Sequence, residues 1–272
     1  MSKPQEAKTQ YKFESFGTSQ VGYAPYSEKV NQDAFSINSW DYGDHTFAFY
    51  IVCDGHGKFG ERTSQYCVRE IPVMVKRYIE KKKAATKEII EDAIRDSCEL
   101  AQRLLEKANS QVILAGTTYV SALIWNNAHI FLSNAGDSRA FLASKKGNHV
   151  VSRLETDDQK PENPEERKRI QKAGGVVMAL KDDDGSDFGP NRVWNREMTA
   201  PGLAMSRSIG DKFAHSLGVI ATPETKNIAL CPDDKFVVLC SDGVFEFLSN
   251  QYCIGKVLPY YSKGDIPGAC KK

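Results

Sequence analysis

Apolar positions run along this chain in three rhythms, and each predicts a different element. Thr46 to Cys53 is almost unbroken apolar and aromatic, which predicts a buried strand. Over 60–82, Tyr66, Val68, Ile71, Val75 and Ile79 recur at near-helical spacing. Over 87–107, Ile90, Ala93, Ile94, Ala101, Leu104 and Leu105 do the same. These stripes predict two amphipathic helices whose apolar faces belong to the core. Thr117 to Trp125 is rich in β-formers, Asn126-Asn127 is a turn signal, and His129 to Leu132 returns, so a hairpin is predicted there. Phe141-Leu142-Ala143 continues the meander.

A short helix is expected near 164–173, with Asn163 as its cap, Pro164 in its first turn, Glu166 at capping-box spacing and Gly174-Gly175 as its stop. Residues 181–191 read as a polar loop whose acidic run is solvated. Strands return at Val219–Ile220 and over 235–240, and a last helix begins near Asn250. A polar segment, 1–21, with a short strand near Tyr11-Lys12-Phe13, precedes the body of the chain at 22–272. No repeat and no linker interrupts that body, so the expectation is one α+β domain of two sheets with flanking helices.

Bulk composition narrows the class without choosing a chemistry. The 272 residues are long enough for a substantial core, and 41% hydrophobic with 26% charged is ordinary for a globular protein. A net charge of +1 gives no global field for nucleic acid or an acidic membrane, so neither is expected as a partner. Lys81-Lys82-Lys83 reads as a solvated helix end. The seven cysteines form no CxxC pair and no zinc-type spacing; their odd number in apolar settings implies reduced thiols in an intracellular, cytoplasmic or nuclear, protein. No apolar run is long enough for a membrane span, no apolar signal core follows Met1, and Ser2 stands where myristoylation would need glycine.

The candidate chemistry lies in two phrases far apart in the chain. Ile51-Val52-Cys53-Asp54-Gly55-His56-Gly57 and Val237-Val238-Leu239-Cys240-Ser241-Asp242-Gly243 each bring a carboxylate to the point where an apolar strand meets a sharp turn. Asn134-Ala135-Gly136-Asp137-Ser138-Arg139 repeats the arrangement. An isolated Asp-Gly is commonly a turn former. The apolar strand entering each one, and the His-Gly after Asp54, favour instead an oxygen-rich site for hard divalent cations. His56 is either a satisfied polar residue or, beside a metal ligand, an acid titrating near working pH.

Six phrases then match a family in order: Asn31-Gln32-Asp33-Ala34, Val52 to Gly57, Ala115-Gly116-Thr117-Thr118, Asn134 to Arg139, Leu203-Ala204-Met205-Ser206-Arg207-Ser208-Ile209-Gly210-Asp211 and Cys240-Ser241-Asp242-Gly243. From about Gly22 onward the chain resembles the metal-dependent Ser/Thr protein phosphatases of the 2C type. The resemblance implies a central antiparallel β-sandwich of two sheets with helices on both outer faces. It implies two Mn²⁺ or Mg²⁺ ions, with a weaker third. Asp54 would bridge the pair, the Gly55 carbonyl would bind one ion, Asp242 would serve the other, Asp33 would lie at or just outside the ligand sphere, and Asp137 would serve the third. His56 would be the general acid. The substrates would be phosphoproteins, hydrolysed by a metal-activated water, and the enzyme a monomer. A catalytically weak phosphatase-like binding subunit is the alternative.

Four departures from the family pattern stand out. Glu28 occupies the position of a phosphate-gripping Arg, leaving Lys29 as the candidate substrate-phosphate cation. Gln32 replaces a Glu. Asp157-Asp158-Gln159-Lys160-Pro161 carries Gln where the family phrase has His. No Asp-Asn or Asp-Asp phrase, the usual source of a further metal carboxylate and of a last core strand, follows residue 250.

Overall fold

The computed structural model describes residues 13–23, 29–108 and 113–271. Its strands are β1 (Asp33–Tyr42), β2 (His45–Gly57), β3 (Ala115–Thr117), β4 (Tyr119–Trp125), β5 (His129–Ala135), β6 (Arg139–Lys146), β7 (His149–Glu155), β8 (Val176–Lys181), β9 (Asp187–Trp194), β10 (Pro201–Leu203), β11 (Ile209–Gly210), β12 (Glu224–Ala229) and β13 (Asp234–Cys240). The helices are α1 (Gly60–Lys82), α2 (Lys87–Ala108), α3 (Pro164–Lys172), α4 (Lys212–Ser216), α5 (Asp242–Phe245), α6 (Asn250–Tyr261) and α7 (Ile266–Cys270). No helix among the described residues is long and apolar enough to cross a membrane.

The layers follow from the alternation along β2. Phe47, Phe49, Ile51 and Cys53 are buried on one face and pack with Cys67, Ile71, Val75 and Ile79 of α1 and Ile90, Ile94 and Cys98 of α2. Ala48, Tyr50 and Val52 point the other way, into the space between two sheets, where Val120, Ile130, Leu132, Ala140 and Leu142 meet Val237 and Leu239. One sheet is seven-stranded, in the order β11-β3-β2-β4-β5-β12 with β1 on the free side of β2; the facing sheet is β13-β6-β7. Outside that second sheet Phe141 and Ala143 pack against Phe245, Cys253 and Ile254 of α5 and α6. Both helical layers of the expected sandwich are therefore present. Among the described residues no strand pairs with the outer edge of β13.

The expected hairpin turn at Asn126-Asn127 adopts left-handed backbone at both residues (φ 53 and 50), which Asn tolerates better than most side chains. Four local expectations need correction, the first being Val219–Ile220, where no strand forms and Ile220 makes only an isolated parallel bridge with Arg207. The strand near Tyr11 falls outside the described residues except for Phe13, which is irregular and packs against the inter-sheet core. The loop over 181–191 is in part a strand: β9 begins at Asp187, and β8, β9 and β10 form a third, small sheet. Gly189-Pro190-Asn191 bulges where the β8–β9 register shifts, which accommodates a proline inside a strand. Finally, Asn163 does not cap α3 with its side chain, and donates its amide to the Asp158 carbonyl instead.

Candidate metal centre

Strand register assembles the site at one end of the sandwich. In the antiparallel β1–β2 pair, Asp33 stands directly opposite Asp54, so the two carboxylates share a sheet face. Asp242 follows β13 at the same end, as the first residue of α5. Asp54 lies close enough to both Asp33 and Asp242 for each to oppose its ionisation. Ser241 Oγ donates to Asp33 Oδ2 at 2.8 Å, tying the end of β13 to the start of β1. The two carboxylates that lie far apart in sequence therefore meet.

The turn carrying Asp54 is held from several sides. Thr118 Oγ1 accepts from the Asp54 amide (3.0 Å), and the Thr118 amide donates to the Asp54 carbonyl (2.9 Å). A Cβ on Gly55 would fall 2.5 Å from the Gln32 carbonyl oxygen and 2.6 Å from that of Gly60, so only glycine fits where α1 starts. Gln32 reaches the Gly57 carbonyl (2.8 Å) and Glu61 (3.3 Å) rather than a carboxylate of the cluster.

The donor set suits hard divalent cations. Burial, then the charge of Asp33 and the contacts with Asp242, push the Asp54 carboxyl up to about 9. Protein atoms alone thus leave this cluster short of positive charge, and all its donors are oxygens. Asp33 and Asp242 both lie close enough to Asp54 to oppose its ionisation. Among the described residues no group of three or more His, Cys, Asp or Glu side chains is placed to hold a metal ion as it stands. The raised Asp54 carboxyl decides the fit, because burial and two neighbouring carboxylates oppose its ionisation and a divalent cation would relieve that opposition.

Asp137, in the β5–β6 turn, stands near Asp242 and is buried, with burial pushing its carboxyl up. Its Oδ2 receives the Lys160 ammonium at 2.5 Å, while Oδ1 is buried with no hydrogen-bond partner. Sequence reasoning assigned Lys160 no role. Gln159, one of the departures from the family phrase, holds this turn: its Oε1 accepts from the Gly136 amide (2.8 Å) and from Asn134 (3.2 Å). Lys29 is exposed with its ammonium over Gly22.

His56 lies beside the carboxylates. Burial pushes its imidazole down, but the adjacent Asp211 carboxylate more than offsets this and the net shift is upward. Nε2 is 2.6 Å from Asp211 Oδ2. The phrase ending in Asp211 was legible in the sequence, but its contact with His56 was not.

A two-sheet sandwich with helices on both faces, and a carboxylate cluster at strand ends with a histidine next to it, defines a protein phosphatase class. The chain belongs to the protein phosphatase 2C family, whose profile matches residues 26–269. It is 33% identical over 267 residues to probable protein phosphatase 2C 35 of Arabidopsis thaliana, covering 91% of this chain and 74% of that protein. It is 29% identical over 255 residues to probable protein phosphatase 2C 52 of the same plant, covering 82% of this chain but 53% of that one. In fold it is similar to a serine-threonine phosphatase 2C from Toxoplasma gondii, with a TM-score of 0.70 at 18% identity, over 94% of this chain and 91% of that one.

Proposed function

We propose that this chain hydrolyses phosphoserine and phosphothreonine monoesters in proteins, without a phosphoenzyme. The observation that carries the proposal is the convergence of Asp33, Asp54 and Asp242 with His56 alongside. Two Mn²⁺ or Mg²⁺ ions bound there would supply an activated water and neutralise phosphoryl charge. Asp54 and Asp242 would hold the ions directly with the Gly55 carbonyl, Asp33 would lie at or just outside their ligand sphere, and Asp137 would serve a weaker third ion. Thr118 and Ser241 keep the carboxylate-bearing turns in register. His56 gives its proton to the departing serine or threonine oxygen, which is otherwise a poor leaving group. No nucleophilic cysteine is required, and burial pushes the Cys53 thiol, next to Asp54, well up, which disfavours a thiolate there. The seven free cysteines favour a reducing, intracellular location.

The test is phosphate release from a phosphothreonine peptide with added Mn²⁺, for wild type and Asp54→Ala. Release by wild type that chelator and Asp54→Ala both abolish supports the proposal. A folded wild type that binds Mn²⁺ but releases no phosphate overturns it in favour of a non-catalytic binding subunit.

A further inference from the structure

Thr118 stands between the two turns that carry Asp54 and Asp137. Val52 on β2 is the register partner of Val120 on β4, and Val120 is the register partner of Asn134 on β5. Two positions further along each strand, Thr118 is flanked by Asp54 on one side and Gly136 on the other. Two hydrogen bonds close the Asp54 side: Thr118 Oγ1 accepts from the Asp54 amide at 3.0 Å, and the Thr118 amide donates to the Asp54 carbonyl at 2.9 Å. On the Asp137 side, Thr118 Oγ1 and Ser138 Oγ lie 2.6 Å apart, one hydroxyl donating to the other. A Cβ on Gly136, whose φ is 122, would fall 2.8 Å from Thr118 Cγ2, so the turn closes against Thr118 only because glycine stands there.

Packing does not explain this bridge. Thr118 and Ser138 are 1% and 0% exposed. Exchanging both partners of a buried hydrogen bond for apolar groups of like shape is close to neutral for stability, so the core itself does not call for two hydroxyls. What they add is direction, because they fix one distance between the turns. The rest of the Asp137 turn is held in the same way. Gln159 grips Gly136 twice, donating from its amide to the Gly136 carbonyl (2.9 Å) and accepting from the Gly136 amide at Oε1 (2.8 Å). Asp137 therefore stands between one residue clamped by Gln159 and another tied through Thr118 to Asp54. It is 3% exposed, with Oδ2 on the Lys160 ammonium and Oδ1 buried without a hydrogen-bond partner. A buried carboxylate oxygen left unpartnered in so closely fixed a turn is placed to meet a cation.

We propose that Thr118 and Ser138 are positioning residues for the third ion. Their hydroxyl bridge sets the spacing between Asp54, which would hold the ion pair, and Asp137, which would serve the weaker ion. Thr118 serves both turns, because its Oγ1 meets the Asp54 amide as well as Ser138. Ser138 serves the Asp137 turn alone. Substitutions at the two residues should therefore leave different patterns in metal binding. Neither hydroxyl takes part in the chemical step. The proposal rests on the third-ion reading of Asp137 given above.

Calorimetric titration with Mn²⁺ tests it on wild type, Asp137→Ala, Ser138→Ala and the double variant. Asp137→Ala should lose the weakest binding event. Ser138→Ala should weaken that event about tenfold, as loss of a group that orients a ligand does, and leave the tighter events within about twofold. The double variant should give the isotherm of Asp137→Ala, because Ser138 then has nothing left to position. Ser138→Ala with the wild-type isotherm overturns the positioning role alone. So does an equal loss at every event, which is what mere loosening of the fold would give. An isotherm unchanged in Asp137→Ala, or a wild type that binds no Mn²⁺, removes the third-ion reading and the role of Ser138 with it. Thr118 carries a second test, which decides if Ser138→Ala does not fold. Thr118→Ser keeps the hydroxyl and should hold every event within about twofold of wild type. Thr118→Val keeps the shape, loses the hydroxyl and should weaken both the tighter events and the weakest one about tenfold. A wild-type isotherm in Thr118→Val, or the same loss in Thr118→Ser as in Thr118→Val, overturns the proposal.

Discussion

Asp33 and Asp54 face each other as register partners at the end of the β1–β2 hairpin, and Asp242 lies close enough to add its charge to theirs. A carboxylate cluster of this kind works against the fold until cations arrive, because burial and mutual repulsion both oppose its ionisation. Asp54→Asn should therefore raise the stability of chelator-treated protein, by on the order of 1 kcal/mol. The same substitution should abolish the rise in melting temperature that Mn²⁺ gives the wild type through selective binding to the folded state. Calorimetric melting with and without Mn²⁺ checks both; a wild type indifferent to Mn²⁺ would sink the assignment of this cluster as a metal centre.

Gly116 offers a test of the site through space rather than charge. Gly116→Ala adds a methyl where Asp211 Oδ2 and His56 Nε2 meet, in backbone that is not left-handed. The pair must separate, while the three-carboxylate cluster keeps its own contacts. Peptide hydrolysis should fall at least about tenfold with little change on p-nitrophenyl phosphate. Equal activity of the variant and wild type on the peptide would show that the 2.6 Å contact is not used in turnover.

Legibility followed the strength of the local pattern. Helices α1 and α2 and strand β2 were readable because their apolar positions repeat at one period over many residues. β1 was not, because its Phe35 and Ile37 lie on a face that stays 38% and 47% exposed, and polar residues fill the alternation. The β8–β9 hairpin was hidden by its acidic tip. Asp54 and Asp242 were readable as strand-end carboxylates, but their neighbours were not: Lys160 reaches Asp137 and His56 reaches Asp211 only through pairings between distant strands. Gln159 looked like a lost histidine. In the fold it is a buried clamp on Asn134 and Gly136, a role that depends on contacts no local phrase encodes.

Lys160 supplies, from within the protein, the positive charge that Asp137 would otherwise take from a cation. Lys160→Met leaves that carboxylate buried beside an unpartnered Oδ1. The metal-free variant should be destabilised by about 3 kcal/mol. Mn²⁺ should recover more of that loss than it adds to wild type, with about tenfold tighter binding at the weakest event in a calorimetric titration. An isotherm identical to wild type would mean that Asp137 does not contact a metal in solution.

Glu166 carries the acid stability of the region behind the site. It accepts from Arg169 Nη1 and Nη2 (2.7 Å each), from Arg207 Nη2 (2.8 Å) and Nε (3.1 Å), and from Ser206 Oγ (2.5 Å). Arg207 also reaches Glu224 at 2.6 Å, linking α3 to β12. Burial alone would raise the Glu166 carboxyl, but the bonds from Arg169, Arg207 and Ser206 bring it down to about 2 from the usual 4.5. A carboxyl depressed on folding contributes stability that is fully present above its unfolded value and is lost as pH falls through the folded one. Wild type should therefore lose this contribution between about pH 4.5 and 2. Glu166→Gln, which leaves Arg207 with Glu224 as its remaining carboxylate and Arg169 without its ion pair, should cost about 2 kcal/mol at pH 7 in urea unfolding. The gap between variant and wild type should narrow steadily as pH falls below 4.5, because protonation makes the wild-type side chain neutral as well. A gap that stays constant from pH 7 to pH 2.5 would show that the ionised Glu166 is not what holds Arg169, Ser206 and Arg207 together.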